Sequence, residues 1–278
     1  MATGTAIGTG CPPMDASDRT PSLEPALLSG VVQTCDPDRI DRAAARAGLP
    51  VNDRLREVLG RITPGLKAEL KARGLCVGDP IFVRIFKIER RLELWMQRGD
   101  RYVRFKDYPI CAFSGTPGPK RQEGDQQAPE GFYQVGPAQM NPESTFHLSF
   151  NLGYPNAFEQ AQGWTGSALM VHGSCVSIGC YAMTNAGIDQ IYALGHYALL
   201  LGQDRFPVHA FPFELTSEKL FAYRTEPWIE FWRQLEPGFT FFEAHRVPPQ
   251  VGVDKGRYSI VQVSGRPVPS DAAHPRPR

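Results

Sequence analysis

The stretch MVHGSCVSIGCYAMTNAG, residues 170–187, sets one histidine and two cysteines, His172, Cys175 and Cys180, among glycines and small polar side chains. Three chemistries use such a set. A metal site would take all three as ligands, but zinc centres draw on paired knuckles and a fourth ligand that this segment does not offer. A Cys175–Cys180 disulfide is sterically conceivable in an oxidising compartment and would silence either thiol. A cysteine nucleophile needs a neighbouring imidazole or dipole, because a free thiol with a pKa of about 8.5 is only a few per cent thiolate at neutral pH. A serine-hydrolase elbow at Ser177 fails, since Cys175 stands where GxSxG requires glycine.

The nucleophile fits these residues best, with Cys180 attacking and His172 as base. The gap between them is too long for one helical face and suits a strand end followed by a loop that returns beside it. Gly173 and Gly179 permit the tight backbone, and the amides of Ser177, Ile178 and Gly179 beside Cys180 could converge as an oxyanion hole. The bland alternative is an inert cysteine beside a structural histidine. Cys175 is read as a small buried residue.

The surrounding pattern supplies elements to hold such a site. PIFVRIFKIERRLELWM reads as a β-hairpin, and YVRFKDYPICAFSG, PEGFYQV, SALMVHG and FPVHAFPF read as further strands. In STFHLSFNLGYPN, Phe146, Leu148, Phe150 and Leu152 alternate with His147, Ser149 and Asn151, a strand with a polar face that could line a cleft. His147, Ser149, Asn151 and Tyr154 are therefore candidate substrate contacts, against the simpler reading of a solvated face. TNAGIDQIYALGHYALLLG is helical with Thr184 as N-cap, and Trp228, Phe231, Trp232 and Leu235 space one helical face. His196, in a helix, and His209, in a strand among phenylalanines, read as structural. Around Pro64, VNDRLREVLGRITPGLKAELKARGL predicts two short helices or one broken at the proline.

The expected organisation is a disordered or linker-like segment with a short helix over 1–50, a helical segment over 51–78, a catalytic domain with a C-terminal helix over 79–262, and a disordered tail over 263–278. The 278 residues carry 30 basic and 29 acidic side chains, a net charge of +1, so no broad attraction to nucleic acid or anionic lipid is expected. No apolar run approaches the roughly 18 residues of a membrane span. The opening twenty residues lack a basic n-region and an apolar h-region, so no secretory signal is read, and their polar, Pro-containing character is that of a linker behind a leader or anchor. Six cysteines are scattered with no CxxC pair, so neither a disulfide framework nor a zinc ribbon is signalled.

HG followed by SxGC and a helix resembles the signature of the YkuD-type L,D-transpeptidases. PEGFY, MNPESTFHLSFNLGYPN, GSALMVHGSCVSIGCYAMT, VHAFPF, the Phe231–Trp232 pair and PPQVGVDKGRY resemble the YafK-like branch of that family, over residues of about 80 to 260. The resemblance implies a mainly β fold with α, a YkuD-type β-sandwich with short helices behind an N-terminal helical segment. It implies Cys180 as nucleophile, His172 as base and the Gly173 carbonyl as the group that orients the imidazole, with no metal or organic cofactor. Ile178 stands where the usual motif has a second histidine, and Ala182 where an arginine commonly follows.

The activity so implied is cysteine-dependent modification of peptidoglycan stem peptides through a thioester at the L-centre of meso-diaminopimelate, in the periplasm or cell envelope. The YafK-like branch resembles the murein amidase that detaches Braun-type lipoprotein, so hydrolysis of the amide to an attached lipoprotein lysine is the first expectation. Transpeptidation, forming cross-links or attaching protein or D-amino acids, is the alternative. An inactive cell-wall-binding module is the reading from another class.

Overall fold

The computed structural model describes residues 37–261. Residues 1–36 of the expected N-terminal segment over 1–50, and the expected tail from 263, lie outside the described residues. Two helices open the described chain, α1 (Pro37–Arg46) and α2 (Asp53–Lys71). Asn52 caps α2 by accepting from the Leu55 amide, and the helix runs unbroken through Pro64. The reason is its single apolar stripe. Leu55, Val58, Leu59, Leu66 and Leu70 are buried on both sides of the proline, and Thr63 meets the Tyr197 hydroxyl at 2.9 Å. That shared burial outweighs a proline cost of about 3 kcal/mol.

The strands follow as expected from their β-branched and aromatic runs: β1 (Ile81–Phe86), β2 (Arg91–Arg98), β3 (Arg101–Pro109), β4 (Ala112–Phe113), β5 (Gly131–Val135) and β6 (Met140–Asn141). Next come β7 (Ser149–Asn151), helix α3 (Ala157–Ala161), β8 (Met170–His172), β9 (Tyr181–Ala182) and helix α4 (Asn185–Leu200). The chain closes with β10 (Phe206–Phe211), helices α5 (Ser217–Ala222) and α6 (Ile229–His245), and the hairpin β11 (Gln250–Asp254) and β12 (Arg257–Val261). One five-stranded sheet has the order β3-β2-β1-β10-β5 and the other β4-β9-β8-β7-β6. Helix α4, capped by Thr184, packs against strands of both sheets, and all of its residues from Ile188 onward except Gln190 are buried. This is the expected assembly of sheets with short helices behind an N-terminal helical segment.

Three expectations change in detail. The strand around Phe150 is confined to β7, because the chain turns at His147, whose φ is 73°. Leu148, Phe150 and Leu152 are buried as the alternation requires, whereas Phe146 is 43% exposed. The helix expected through Trp228 is two helices, since Pro227 disfavours helical backbone at the residue before it. Trp228 becomes the N-cap of α6, and Phe231, Trp232 and Leu235 form its buried face. The β11–β12 hairpin was not expected, although its alternation and the Lys255-Gly256 pair, both at positive φ, make a two-residue hairpin turn.

Candidate active site

β8 lies between β7, which it pairs antiparallel, and β9, which it pairs parallel. Parallel neighbours usually need a crossover of a dozen or more residues. Here only residues 173–180 intervene. The loop turns so tightly because Ser174, Cys175 and Gly179 all take positive φ, at 70°, 53° and 106°. Val171 pairs with Tyr181 and His172 with Ala182. One step back, the Met170 amide donates to Cys180 Sγ at 3.4 Å. His172 ends β8 and Cys180 immediately precedes β9, so the register continued one residue back sets the two on neighbouring segments, offset by two residues. With strands roughly 4.8 Å apart and a rise of about 3.3 Å per residue, their Cα atoms are about 8 Å apart.

His172 Nδ1 lies 2.6 Å from the Gly173 carbonyl oxygen. A carbonyl only accepts, so Nδ1 carries the hydrogen and Nε2 offers its lone pair. The imidazole is buried, with the Phe146 ring against it at 4.8 Å between centroids. Burial lowers the His172 pKa below its ordinary value, against the opposing pull of the Gly173 bond. Burial likewise pushes the Cys180 thiol up, while the Met170 amide and the Lys120 charge pull it back. Both shifts favour the neutral forms of thiol and imidazole, so a nucleophile at this position would need its proton removed as it attacks.

The loop is clipped by two serines. Ser177 donates its hydroxyl to the Cys180 carbonyl at 2.7 Å and accepts the Cys180 amide at 3.1 Å. Its one hydrogen is then spent, so at 2.9 Å it accepts from Ser114, which in turn accepts the Gly179 amide at 2.7 Å. The Gly179 and Cys180 amides thus both point at serine hydroxyls, and Ile178 between them is 85% exposed. Gly173 is confined more severely. A Cβ there would stand 2.7 Å from Asn185 Oδ1 and 3.0 Å from the Phe146 carbonyl oxygen. The same Asn185 oxygen accepts the Ser174 amide at 2.9 Å.

Cys175 is not the buried thiol expected of it: it is exposed and disulfide-bonded to Cys111. That bond takes Cys175 out of any metal set with His172 and out of pairing with Cys180. Cys76 is also disulfide-bonded, and Cys180 is the free cysteine among the described residues.

The candidate substrate contacts are engaged within the protein. His147 Nε2 meets Asp189 Oδ1 at 2.6 Å, and the fully buried Ser149 donates to Met170 Sδ at 3.3 Å. Asn151 accepts the Gly153 amide at 2.8 Å, and the Tyr154 hydroxyl donates to the Lys120 carbonyl at 2.9 Å. His196 and His209 are buried away from the loop. Sequence reasoning missed Ser114, Phe146, Asn185 and Asp189. Only Phe146 and Asn185 carried a signal, as the first residue of an apolar alternation and as the first residue after a helix cap.

Residues 81–204 match the family model described as the L,D-transpeptidase catalytic domain. Over 184 residues the chain is 44% identical to an Escherichia coli K12 protein named "Putative L,D-transpeptidase YafK", covering 66% of this chain and 75% of that one. Among solved structures, the helical cell shape determining protein Pgp2 of Campylobacter jejuni aligns at a TM-score of 0.40 and 17% identity, over 64% of this chain and 73% of that one. Bdellovibrio bacteriovorus Bd1075 aligns at 0.34 and 20%, over 56% and 58%. Scores this low bear on neither fold nor site. Identity with a curated relative over most of that relative's length, together with the matched catalytic domain, does: the chain belongs to the YkuD-type L,D-transpeptidase family.

Proposed function

We propose that Cys180 is the nucleophile of a peptidoglycan amidase that hydrolyses the amide between the L-centre carbonyl of meso-diaminopimelate and a lysine of an attached lipoprotein. Family membership supports peptidoglycan modification in general. The observation that carries the cysteine mechanism is the β8–β9 pairing, which brings the free thiol just ahead of β9 alongside the strand that ends in the buried, tautomer-fixed His172.

In this mechanism His172 Nε2 takes the Cys180 proton as sulfur attacks the carbonyl. The resulting imidazolium gives that proton to the departing amine, and a thioester remains. Water, deprotonated by His172, then attacks the thioester, releasing the diaminopimelate carboxylate and restoring the thiol. The oxyanion of each tetrahedral intermediate needs donors; of the expected Ser177, Ile178 and Gly179 amides, that of Gly179 is already bonded to the Ser114 hydroxyl, which leaves Ser177 and Ile178 as the candidates.

A lysine leaving group is supported by the loop's apolar rim, where the exposed Val176 and Ile178 suit a tetramethylene stem. A periplasmic location is supported by the Cys111–Cys175 bond, which a reducing compartment would not sustain. The test is mass spectrometry of muropeptides carrying a lysine-linked peptide, and of bare tetrapeptides, after incubation with wild type and Cys180→Ala. Release of the peptide to leave a tripeptide, by wild type only, is expected. Cross-linked or D-amino-acid-exchanged products would make the enzyme a transpeptidase, and no Cys180-dependent product would leave a wall-binding module.

A further inference from the structure

The loop that carries Phe146 is held from outside the catalytic sheet. Arg54, in the first turn of α2, donates through Nη1 to the His147 carbonyl at 2.5 Å and the Ser144 carbonyl at 2.7 Å. Asn52, the cap of the same helix, donates to the Pro142 carbonyl at 3.0 Å. Two turns further along α2, Arg61 pairs with Asp189 Oδ2 at 2.8 Å. Asp189 is a buried residue of α4, and its other oxygen meets His147 Nε2 at 2.6 Å. Two of the three arginines of α2 therefore converge on one residue, Arg54 on its backbone and Arg61, through Asp189, on its ring.

That residue is strained and adjoins the proposed base. His147 sits at a φ of 73°, which side chains other than glycine rarely adopt without support from their surroundings. Its neighbour Phe146 lies against the His172 ring. The Gly173 amide donates to the Phe146 carbonyl at 3.0 Å and to the Leu148 carbonyl at 3.2 Å. The Gly173 carbonyl in turn receives His172 Nδ1–H. The ring contact to Phe146 thus lies in the segment the two arginines hold, and the Gly173 carbonyl is tied to it through the Gly173 amide.

We propose that Arg54 and Arg61 of α2 are positioning residues for the base, acting through His147, Asp189 and Phe146 to hold His172 in reach of the Cys180 thiol. This rests on Cys180 and His172 being the nucleophile and its base. The catalytic unit then includes a helix that lies ahead of residues 81–204, the segment shared with the family's catalytic domain. Both guanidinium groups are at the surface, so replacing them leaves the buried stripe of α2 in place.

Iodoacetamide labelling of Cys180 at pH 7 in the full chain, followed by mass spectrometry, reads the effect without any peptidoglycan substrate. Arg54→Ala and Arg61→Ala are expected to slow labelling at least about fivefold, since small misplacements of a reacting group cost large factors. Arg54→Lys restores part of the rate. Arg56→Ala, which breaks only exposed pairs with Asp41 and Asp53, leaves it unchanged. In a His172→Ala background neither arginine substitution slows labelling further, because the pathway acts through His172. A fold loss would expose the thiol and change labelling alike in both backgrounds, and would lower the melting temperature. If Arg54→Ala does not fold, Arg54→Lys and Arg61→Gln carry the same comparison.

Unchanged labelling in the arginine variants, or equal slowing with and without His172, would overturn the positioning role alone. Labelling indifferent to His172→Ala in the otherwise wild-type chain would overturn the nucleophile–base pair and the positioning role together.

Discussion

Cys175 is bonded to Cys111 across 64 residues of sequence, and it falls between His172 and Cys180 in the chain. The loop that joins the proposed base to the proposed nucleophile is therefore tied covalently to the entrance of β4. Ser174 and Cys175, the two residues at that tie, both hold positive φ, so the bond constrains a backbone that would otherwise relax. Cys111→Ser is expected to lower stability by about 2–4 kcal/mol in a denaturant titration, the usual range for a loop of this size. It should also slow Cys180-dependent hydrolysis by more than the population of unfolded protein explains, and Cys180→Ala should leave stability close to wild type.

The pair Cys180 and His172 should show its neutral resting state in its pH dependence. His172 accepts a proton only when neutral, and burial lowers its pKa below 6.5, so the acid limb of kcat/KM lies below that value. In His172→Ala, iodoacetamide reacts only with spontaneously formed thiolate, and burial pushes the thiol up. The labelling rate then climbs with pH and inflects above 9.0. Hydrolysis by His172→Ala should fall by about 10²–10⁴, the ordinary worth of a general acid–base group. A preformed thiolate–imidazolium pair would instead label rapidly at pH 6.

Gly173→Ala tests the packing beneath the base. The added methyl meets Asn185 Oδ1 at 2.7 Å, the Phe146 carbonyl at 3.0 Å and His147 Cβ at 3.1 Å, two of them backbone or close to it. None of these can move without disturbing His172. The expected cost is about 1–3 kcal/mol of stability with activity reduced by two orders of magnitude or so. A folded variant with wild-type kcat/KM would contradict the close approach.

Acid should unfold the protein through two histidines outside the site. Burial lowers His196 to about 4 and His209 to about 3, and both His196 nitrogens lack a hydrogen-bond partner among the described residues. The unfolded chain binds protons on these rings below about 6.5 while the folded chain excludes them, so stability falls as pH drops from there toward 4 and 3. Each ring contributes a slope of up to about 1.4 kcal/mol per pH unit. Glu159 works in the opposite sense. Burial raises it to about 7, so its contribution is lost as pH rises from the ordinary carboxylate range through that value. His196→Leu should flatten the acid side of a urea-midpoint curve, and an unchanged slope would place the acid sensitivity elsewhere.

The residues proposed to carry the chemistry could be singled out in the sequence because they are local. His172, Gly173, Ser177, Gly179 and Cys180 lie within nine residues, and glycine spacing with a strand-to-helix switch marks that segment regardless of what packs on it. The strand and helix types were legible in residue type and capping, as in the β-branched and aromatic runs of β1 and β2, which are buried on both faces, and in the Thr184 cap of α4. Pro64 misled, since local backbone cost weighs less than a stripe buried along the whole of α2. What surrounds the site is long-range. Cys111 meets Cys175, Ser114 meets Ser177 and Arg61 meets Asp189 across 64, 63 and 128 residues. No local pattern encodes which partner closes such a separation. The pairing order β4-β9-β8-β7 and the seating of α2 on α4 decide it, by bringing together groups that would otherwise be satisfied by water.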